Sequence, residues 1–243
     1  LNFHSGIEKV VKPFVNKLIK ERKEQLGLDV LKPWDLSVDT FNRDPLTPFE
    51  DAAELEEKCH NIFNAVDGDL GKHFNIMREQ KLLDLANRKG KAPGGYCTEY
   101  YYRRLPFIFM NAVGTHGDVQ TMLHEGGHAF HVFESDQLPY SSQRDVGMEF
   151  AEVASMSMEL LAAPYITKEH GGFYNSDDAK RARIEHLEKT IMFWPYMAVV
   201  DGFQHWAYTN PEDAMDPKNC DAEWTRLWKR FQTFDDLDSS EFE

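Results

Sequence analysis

The sequence predicts a mainly α-helical protein with a small β-sheet beside one central helix. Apolar residues recur at three- and four-residue steps through most of the 243 residues, which is typical of helices that bury one face. The segment at residues 105–111 is instead short and rich in β-forming residues, which predicts a strand. The pattern H-E-x-x-H follows at residues 124–128, and its spacing suits one face of a helix.

Composition describes an ordinary globular chain and argues against some partners. Hydrophobic residues make up 42% and charged residues 28% of the sequence. The net charge of −14 argues against nucleic acid, whose phosphates require a basic surface. No apolar run approaches the ~20 residues that span a bilayer, so we expect no membrane partner. The three cysteines form no C-x-x-C pair, which favours reduced thiols and a cytoplasmic location.

Apolar stripes predict three helices in the first third of the chain. The first covers residues 7–25, and Pro13 should mark its start or a kink. The second covers residues 48–66, with a proline at its start. After an Asp-Gly-Asp interruption, a third helix should continue through Leu85.

Turn-forming residues connect the first two helices and lead into the strand. Residues 29–48 contain three prolines, and their Trp34 and Phe41 should pack onto the body of the protein. Residues 89–98 contain Gly90, Gly94 and Gly95 and predict a flexible loop.

The strand at residues 105–111 has two interpretations. Pro106 favours an edge position. An edge strand just before the H-E-x-x-H helix could pair with an extended peptide, which would make Phe109, Met110 and Asn111 substrate contacts. A plain core strand is an equally good interpretation.

The H-E-x-x-H helix should begin after Asp118 as N-cap and run from residue 119 to about 134. Gly126 and Gly127 each cost about 1 kcal/mol relative to alanine inside a helix, which indicates close approach of a ligand or a neighbouring backbone. If this helix binds a metal ion, His131 could be a further ligand, but its spacing from His124 and His128 better fits a supporting or core role.

This pattern predicts a metal centre. His124 and His128 lie four residues apart, so a helix presents both imidazoles to one ion. Glu125 is rotated around the helix, where its carboxylate can reach a water on that ion. Two imidazoles with an adjacent carboxylate are typical of zinc metalloproteases.

A third protein ligand is expected from the next helix, which should begin near residue 146 after a polar turn. Its acids Glu149, Glu152 and Glu159 lie among apolar residues, and a buried carboxylate without a partner is costly. Glu152 and Glu159 are seven residues apart on one face. One metal ligand and one carboxylate that orients a histidine would account for the pair, and exposed helix acids are the alternative.

The remaining residues predict two more helices. The first covers residues 177–208 and contains Pro195, where a kink is expected. His205 and Tyr208 near its end could donate hydrogen bonds to a substrate, with structural packing as the alternative. A last helix over residues 224–231 should lead into an acidic tail.

Four segments carry a family resemblance. They are Phe-Ile-Phe-Met-Asn at residues 107–111, Asp-Val at 118–119, His-Glu-Gly-Gly-His-Ala-Phe-His at 124–131 and Phe-Ala-Glu-Val-Ala-Ser at 150–155. In order and spacing, including a glutamate 28 residues after the first histidine, the chain resembles the M3 family of metallopeptidases, especially its oligoendopeptidase F branch.

The resemblance implies a zincin-like helical catalytic domain over residues 1–243. It implies one zinc ion per chain, bound by His124, His128 and Glu152, with Glu125 as the general base. Glu159 matches the carboxylate that orients a histidine ligand. The implied activity is endopeptidase hydrolysis of short peptides.

Two parts of the family pattern are not found. M3 enzymes carry a large helical lobe before the catalytic core and a motif rich in tyrosine and histidine after it, which stabilises the oxyanion. The chain also begins at Leu1 rather than Met, so we expect a partial domain whose missing remainder is a partner. A related zinc carboxypeptidase and an impaired peptide-binding fragment are the alternatives.

Overall fold

The structure is a computed structural model that describes residues 2–232. The predicted acidic tail lies outside these residues. Within them, the α-helices are α1 (Asn2–Gly6), α2 (Lys12–Leu26), α3 (Ala52–Val66), α4 (Gly68–Glu79), α5 (His116–Ser135), α6 (Ser141–Arg144), α7 (Met148–Ala162), α8 (Ser176–Thr209) and α9 (Pro217–Phe231). The strands are β1 (Leu83–Ala86), β2 (Tyr96–Tyr100) and β3 (Leu105–Ala112). The prediction of a mainly α-helical fold with a small sheet is confirmed.

The chain divides into two compact units. The first contains the residues up to Asp44 and those from Ile184 onward, and the second contains Pro45–Arg183. No helix among residues 2–232 combines the length and the apolar character that crossing a membrane requires.

The first unit contains α1, α2, α9 and most of α8. A π-helical turn, Ile7–Val11, joins α1 to α2 just before Pro13, so the predicted disturbance of the helix lies there. Ile7 packs in a buried cluster with residues from α8 and α9, among them Leu227 and Phe231. Trp34 and Phe41 are exposed, so the prediction that they pack onto the body is wrong for the described residues.

The second unit contains the sheet, α3–α7 and the larger hydrophobic core. Its core buries Phe63 and Phe74 from α3 and α4 together with Met122 and Leu123 from α5. Helix α3 begins at Ala52, later than predicted, because the Asp51 side chain accepts a hydrogen bond from the backbone N–H of Glu54.

The sheet has the order β1-β3-β2, with β1 parallel and β2 antiparallel to β3. Strand β3 is therefore central, and the expected edge position of Pro106 is wrong. Pro106 is the second residue of the strand, close to the strand end where proline is tolerated, and it lies opposite Glu99. Because both edges of β3 are occupied, an added peptide cannot pair with this strand. Ile108 and Met110 of β3 are buried core residues.

Strands β1 and β2 were not predicted. The predicted third helix ends at Glu79, because Lys81 adopts a left-handed conformation with φ of 56°. The backbone N–H groups of Lys81 and Leu82 then bond the carbonyls of Arg78 and Met77, which is the pattern of a Schellman cap. The residues after this cap form β1 instead of helix. Strand β2 occupies the end of the predicted flexible loop.

Candidate metal centre

A capping box fixes the beginning of α5. Thr115 is the N-cap, its hydroxyl accepts from the backbone N–H of Asp118, and the Asp118 carboxylate accepts from the backbone N–H of Thr115. Asp118 thus caps the helix from the third helical position. The prediction that Asp118 is the N-cap itself is wrong. The helix begins at His116, three residues earlier than expected.

The two glycines of the motif allow close packing around α5. A Cβ atom at Gly127 would lie 2.6 Å from Ser155 Cα and 2.7 Å from the Ala154 carbonyl oxygen of α7. A Cβ atom at Gly126 would lie 2.6 Å from the Phe63 ring. The approach predicted from these glycines is therefore that of a neighbouring backbone at Gly127 and an aromatic core side chain at Gly126.

The packing of α5 on α7 brings three donor atoms together. His124 Nε2 lies 3.3 Å from Glu152 Oε2, and His128 Nε2 lies 3.6 Å from the same oxygen. One donor atom from each of the three residues lies within 4.8 Å of the others. Tetrahedral zinc with bonds of about 2.0–2.1 Å holds neighbouring donors about 3.4 Å apart. The spacing and the donor types therefore fit zinc.

A second glutamate of α7 orients one of the histidines. Glu159 Oε1 lies 2.7 Å from His124 Nδ1, and the Glu159 side chain is largely shielded from solvent. A carboxylate at this distance selects the tautomer with the proton on Nδ1, which leaves the Nε2 lone pair free for a metal. The same hydrogen bond raises the pKa of His124, whereas burial lowers the pKa of His128.

The fold distinguishes acids and histidines that spacing alone does not separate. Glu149 is exposed, and its carboxylate lies beside Gly147. His131 is half-buried and, like Glu149, is outside the group of donor atoms found among residues 2–232. The Ser155 hydroxyl donates to Glu152 Oε2 over 2.8 Å and orients this carboxylate. Ser155 was missed, although its spacing of three residues from Glu152 places it on the same helical face.

Glu125 lies beside the three donors in a more buried position, with 7% of the residue exposed. Burial raises the pKa of its carboxyl group. The charge of His124 and then the backbone of Cys97 in β2 partly oppose this shift. The contact with Cys97 carried no sequence signal, because a backbone donor depends on the fold and not on the side chain.

The candidate substrate contacts on β3 have partners within the protein. The Phe109 ring stacks on Tyr96 with centroids 5.0 Å apart. Met110 is buried, and the Asn111 amide donates to the carbonyl oxygens of Ala92 and Gly94 over 2.9 Å each. These contacts hold the glycine-rich loop, and a role in substrate binding stays a prediction.

His205 and Tyr208 lie near the end of α8 in the first unit, and both are exposed. His205 Nε2 is 3.6 Å from Asp201 Oδ1. Their predicted hydrogen bonds to a substrate stay a prediction.

A helix with H-E-x-x-H beside a second helix that adds a carboxylate is the arrangement of a helical metallopeptidase. The sequence matches the model of Peptidase family M3 over residues 1–243, and the chain belongs to this family.

Relatives agree with this assignment. The chain is 29% identical over 174 residues to an oligoendopeptidase F homolog of Lactococcus lactis subsp. lactis (strain IL1403), covering 70% of this chain and 27% of that protein. It is 27% identical over 158 residues to the group B oligopeptidase PepB of Streptococcus agalactiae serotype III (strain NEM316), covering 65% and 26%. The chain thus spans about a quarter of the length of these curated relatives.

The fold is also similar to a solved structure of PZ peptidase A with inhibitor 2. The TM-score is 0.87 at 32% sequence identity, over 99% of this chain and 42% of that one. This similarity includes both compact units of the chain.

Proposed function

We propose that this chain is part of a zinc-dependent endopeptidase that hydrolyses short peptides. The observation that carries the proposal is the convergence of His124 Nε2, His128 Nε2 and Glu152 Oε2 at distances that suit one ion. Membership of Peptidase family M3 and relatives named oligopeptidase and oligoendopeptidase F support it. Three free cysteines are consistent with a cytoplasmic location, which we include in the proposal.

His124, His128 and Glu152 would hold one zinc ion, and Glu159 would keep His124 in the correct tautomer. A bound zinc ion supplies Lewis acidity, which acidifies a coordinated water to a pKa of about 7 and polarises the scissile carbonyl. Ser155 would keep the Glu152 carboxylate turned toward the histidines.

Glu125 acts as the general base in this proposal. Its carboxylate accepts the proton of the attacking water and later donates it to the nitrogen of the leaving amine. Burial raises its pKa, which makes the carboxylate a stronger base than an exposed glutamate.

Among residues 2–232, β2 pairs only with β3 and so presents its other edge. Because Cys97 of β2 contacts Glu125, we propose that an extended peptide lies along this edge. Strand β2 would then make the substrate contacts that were expected from Phe109, Met110 and Asn111 of β3.

Zinc content is the first test of the proposal. The purified chain should hold about one zinc ion, measured by metal analysis with mass spectrometry, and His124→Ala should hold much less. His131→Ala is the matched control, because it removes an imidazole of the same helix that lies outside the donor group. A chain that takes up no zinc when zinc is offered would disprove the proposal.

Peptides blocked at both ends test the endopeptidase assignment. Cleavage of a quenched fluorescent peptide without free termini should occur, and Glu125→Gln should lower the rate by about 10²–10⁴ while zinc stays bound. Cleavage only of peptides with a free C-terminus would favour the zinc carboxypeptidase instead.

A further inference from the structure

A cavity lies in the same compact unit as the metal centre, and its lining contains none of the three donor residues. It has a volume of about 370 Å³, within the range of about 300–1,000 Å³ that is typical of ligand sites. Its walls come from the turn between β2 and β3 and from the segment around α6. The lining residues are Tyr101, Tyr102, Arg104, Pro139, Ser141 and Arg144.

The charge of this cavity is opposite to that of the protein. Two of its six lining residues are arginines and none is acidic, although the whole chain carries a net charge of −14. Planar guanidinium groups bind carboxylates through two parallel hydrogen bonds. The lining therefore favours an anionic ligand of carboxylate chemistry.

Contacts within the protein hold Arg144 in place and leave Arg104 more exposed. Arg144 is mostly buried, and its Nε donates to the Leu138 carbonyl oxygen over 3.0 Å. Asp136 Oδ1 lies 3.3 Å from Arg104 Nε and 3.7 Å from Arg144. One carboxylate thus faces two guanidinium groups, which leaves one positive charge uncompensated within this trio. The side chain of Arg104 is 51% exposed and so remains accessible to a ligand.

The turn itself presents Arg104 and two tyrosines. The backbone N–H groups of Arg103 and Arg104 both bond the Tyr100 carbonyl oxygen over 2.8 Å, and Arg104 has a φ of 55°. The rings of Tyr101 and Tyr102 are edge-to-face, with centroids 5.9 Å apart. Tyr102 is 99% exposed, so an amphipathic ring stands at the mouth of the cavity.

Two elements lead from the cavity to Glu125. Along α5, Glu125 and Asp136 are eleven residues apart, or about 16 Å at 1.5 Å per residue. Cys97 in β2 and Tyr101, the first residue after this strand, are four residues apart, or about 13 Å at 3.3 Å per residue. An extended peptide covers this distance with about four or five residues.

We propose that the cavity between Arg104 and Arg144 binds a carboxylate of the peptide substrate, about four or five residues away from the scissile bond. The carboxylate comes from an acidic side chain or from the peptide's C-terminus. This inference rests on the proposed peptidase function for its distance to the scissile bond, while carboxylate binding itself does not need the metal.

Binding is measured first, without metal, so that the result is independent of peptidase activity. Rhodamine-labelled blocked peptides that carry either one Glu or one Gln at the same position are titrated with the chain in EDTA, and anisotropy is recorded. The Glu peptide should bind about tenfold more tightly, as expected for charge-assisted hydrogen bonds. A third peptide with Gln and a free C-terminus tests the terminal carboxylate.

Variants assign the preference to the cavity. Arg104→Gln should reduce it to less than about twofold, and Arg104→Lys should keep part of it, since a lysine retains the charge without the planar fork. Arg103→Gln is the matched control, because Arg103 is the neighbouring exposed arginine and does not line the cavity. Equal binding of the Glu and Gln peptides, or a preference that survives in Arg104→Gln, would overturn the subsite.

Cleavage then tests the distance. The Glu is moved to different positions of a substrate peptide that has one cleavable bond. KM should be lowest when the Glu lies four or five residues from that bond, with kcat changed little. Arg104→Gln should remove this optimum. A flat KM profile would refute the distance. Absence of all cleavage, also after the chain is combined with the lobe and C-terminal segment of a relative, beside an intact Glu preference would refute the peptidase function and leave carboxylate binding standing.

Discussion

The hydrogen bond between Glu159 and His124 determines which imidazole nitrogen is free to bind a metal. Removing its charge should weaken zinc binding without removing a ligand. We expect Glu159→Gln to lower zinc affinity by about 10–100-fold, the usual effect of losing a carboxylate that orients a histidine ligand. Competition with a chromogenic chelator measures this affinity.

Glu149→Gln is the matched control for that experiment. It makes the same substitution in the same helix, but Glu149 is exposed and outside the donor group among residues 2–232. Zinc affinity should change less than about twofold in the control. An equal loss in both variants would mean that Glu159 acts only through the total charge of α7.

Lys91 is a buried cation that holds the glycine-rich loop. Its side chain is 1% exposed, and its ammonium donates to the Asp84 and Ala86 carbonyl oxygens over 2.9 Å each. It also lies 4.4 Å from the centroid of the Phe109 ring. Lys91→Met should lower the free energy of unfolding by about 2–4 kcal/mol, because these acceptors and Asp84 lose a charged donor.

Urea denaturation measures the effect of Lys91→Met. Lys89→Met is the control, since Lys89 is exposed in the same loop, and it should change the free energy of unfolding by less than about 0.5 kcal/mol. Equal stability of the two variants would show that the Lys91 hydrogen bonds contribute nothing net.

The carboxylate of Asp84, which Lys91 contacts, makes the stability of the folded state depend on pH. The hydrogen bond from Arg88 and then that from Lys91 lower the pKa of Asp84 to about 2, against about 3.9 in an unfolded chain. A lowered pKa stabilises the folded state above about pH 4, and this contribution is lost as the pH falls toward about 2. Asp84→Asn should therefore be less stable than the wild type at pH 7, with a difference that shrinks below pH 4 in urea titrations. A difference that stays constant down to pH 3 would contradict the shift.

Spacing on one helix was sufficient to predict His124, His128 and Glu125 as candidates, because helical geometry is local, whereas the choice of Glu152 as the third donor came from the family resemblance. His124 and His128 are one turn apart on α5, and Glu152 and Glu159 are two turns apart on α7. Their assembly needed the packing of α5 against α7, which the family resemblance supplied and spacing alone did not. Cys97 and the cavity at Arg104 arise from a strand and a turn that the sequence pattern did not reveal.

At the scale of elements, Gly127 sets the distance between the two helices that carry the donors. A Cβ atom there would overlap backbone atoms of Ser155 and Ala154, which cannot rotate away as a side chain can. We expect Gly127→Ala to push α7 away from α5. It should lower the free energy of unfolding by about 1–3 kcal/mol, since overpacking outweighs the gain in helix propensity of about 1 kcal/mol.

Zinc affinity should fall together with stability in Gly127→Ala, because Glu152 moves with α7. Gly68→Ala is a control in which the added Cβ atom meets nothing within 4 Å. Thermal unfolding and chelator competition on both variants measure the two effects. Unchanged zinc affinity in a destabilised Gly127→Ala variant would show that the donors do not depend on this helix spacing.

Secondary-structure elements were predicted correctly where the apolar periodicity extended over many residues. The predictions failed where the backbone conformation of single residues determined where an element begins or ends. The long helix α8 follows its predicted limits within one residue at each end. Strand β1 was missed because the cap after α4 uses Lys81 in a left-handed conformation, where glycine is the usual signal. Strand β2 was missed because it directly follows the glycines of a loop, which the pattern assigned as flexible over its whole length.

At the scale of the whole molecule, the chain contains the candidate metal centre but spans about a quarter of its curated relatives. The resemblance implies a motif rich in tyrosine and histidine that stabilises the oxyanion, and residues 1–243 show no match to it. Metal binding depends on α5 and α7, both of which lie in one compact unit. Metal binding and catalysis should therefore separate in the chain alone.

We expect the 243-residue chain to bind zinc as tightly as it does when combined, by fusion or in trans, with the lobe and C-terminal segment of a relative. Its kcat/KM on a blocked peptide should be about 10²–10³ lower, the effect of losing one oxyanion donor. Glu125→Gln should lower the rate by about 10²–10⁴ in both forms, which excludes a contaminating peptidase. Equal rates with and without the added segments would mean that residues 1–243 supply the oxyanion donors themselves.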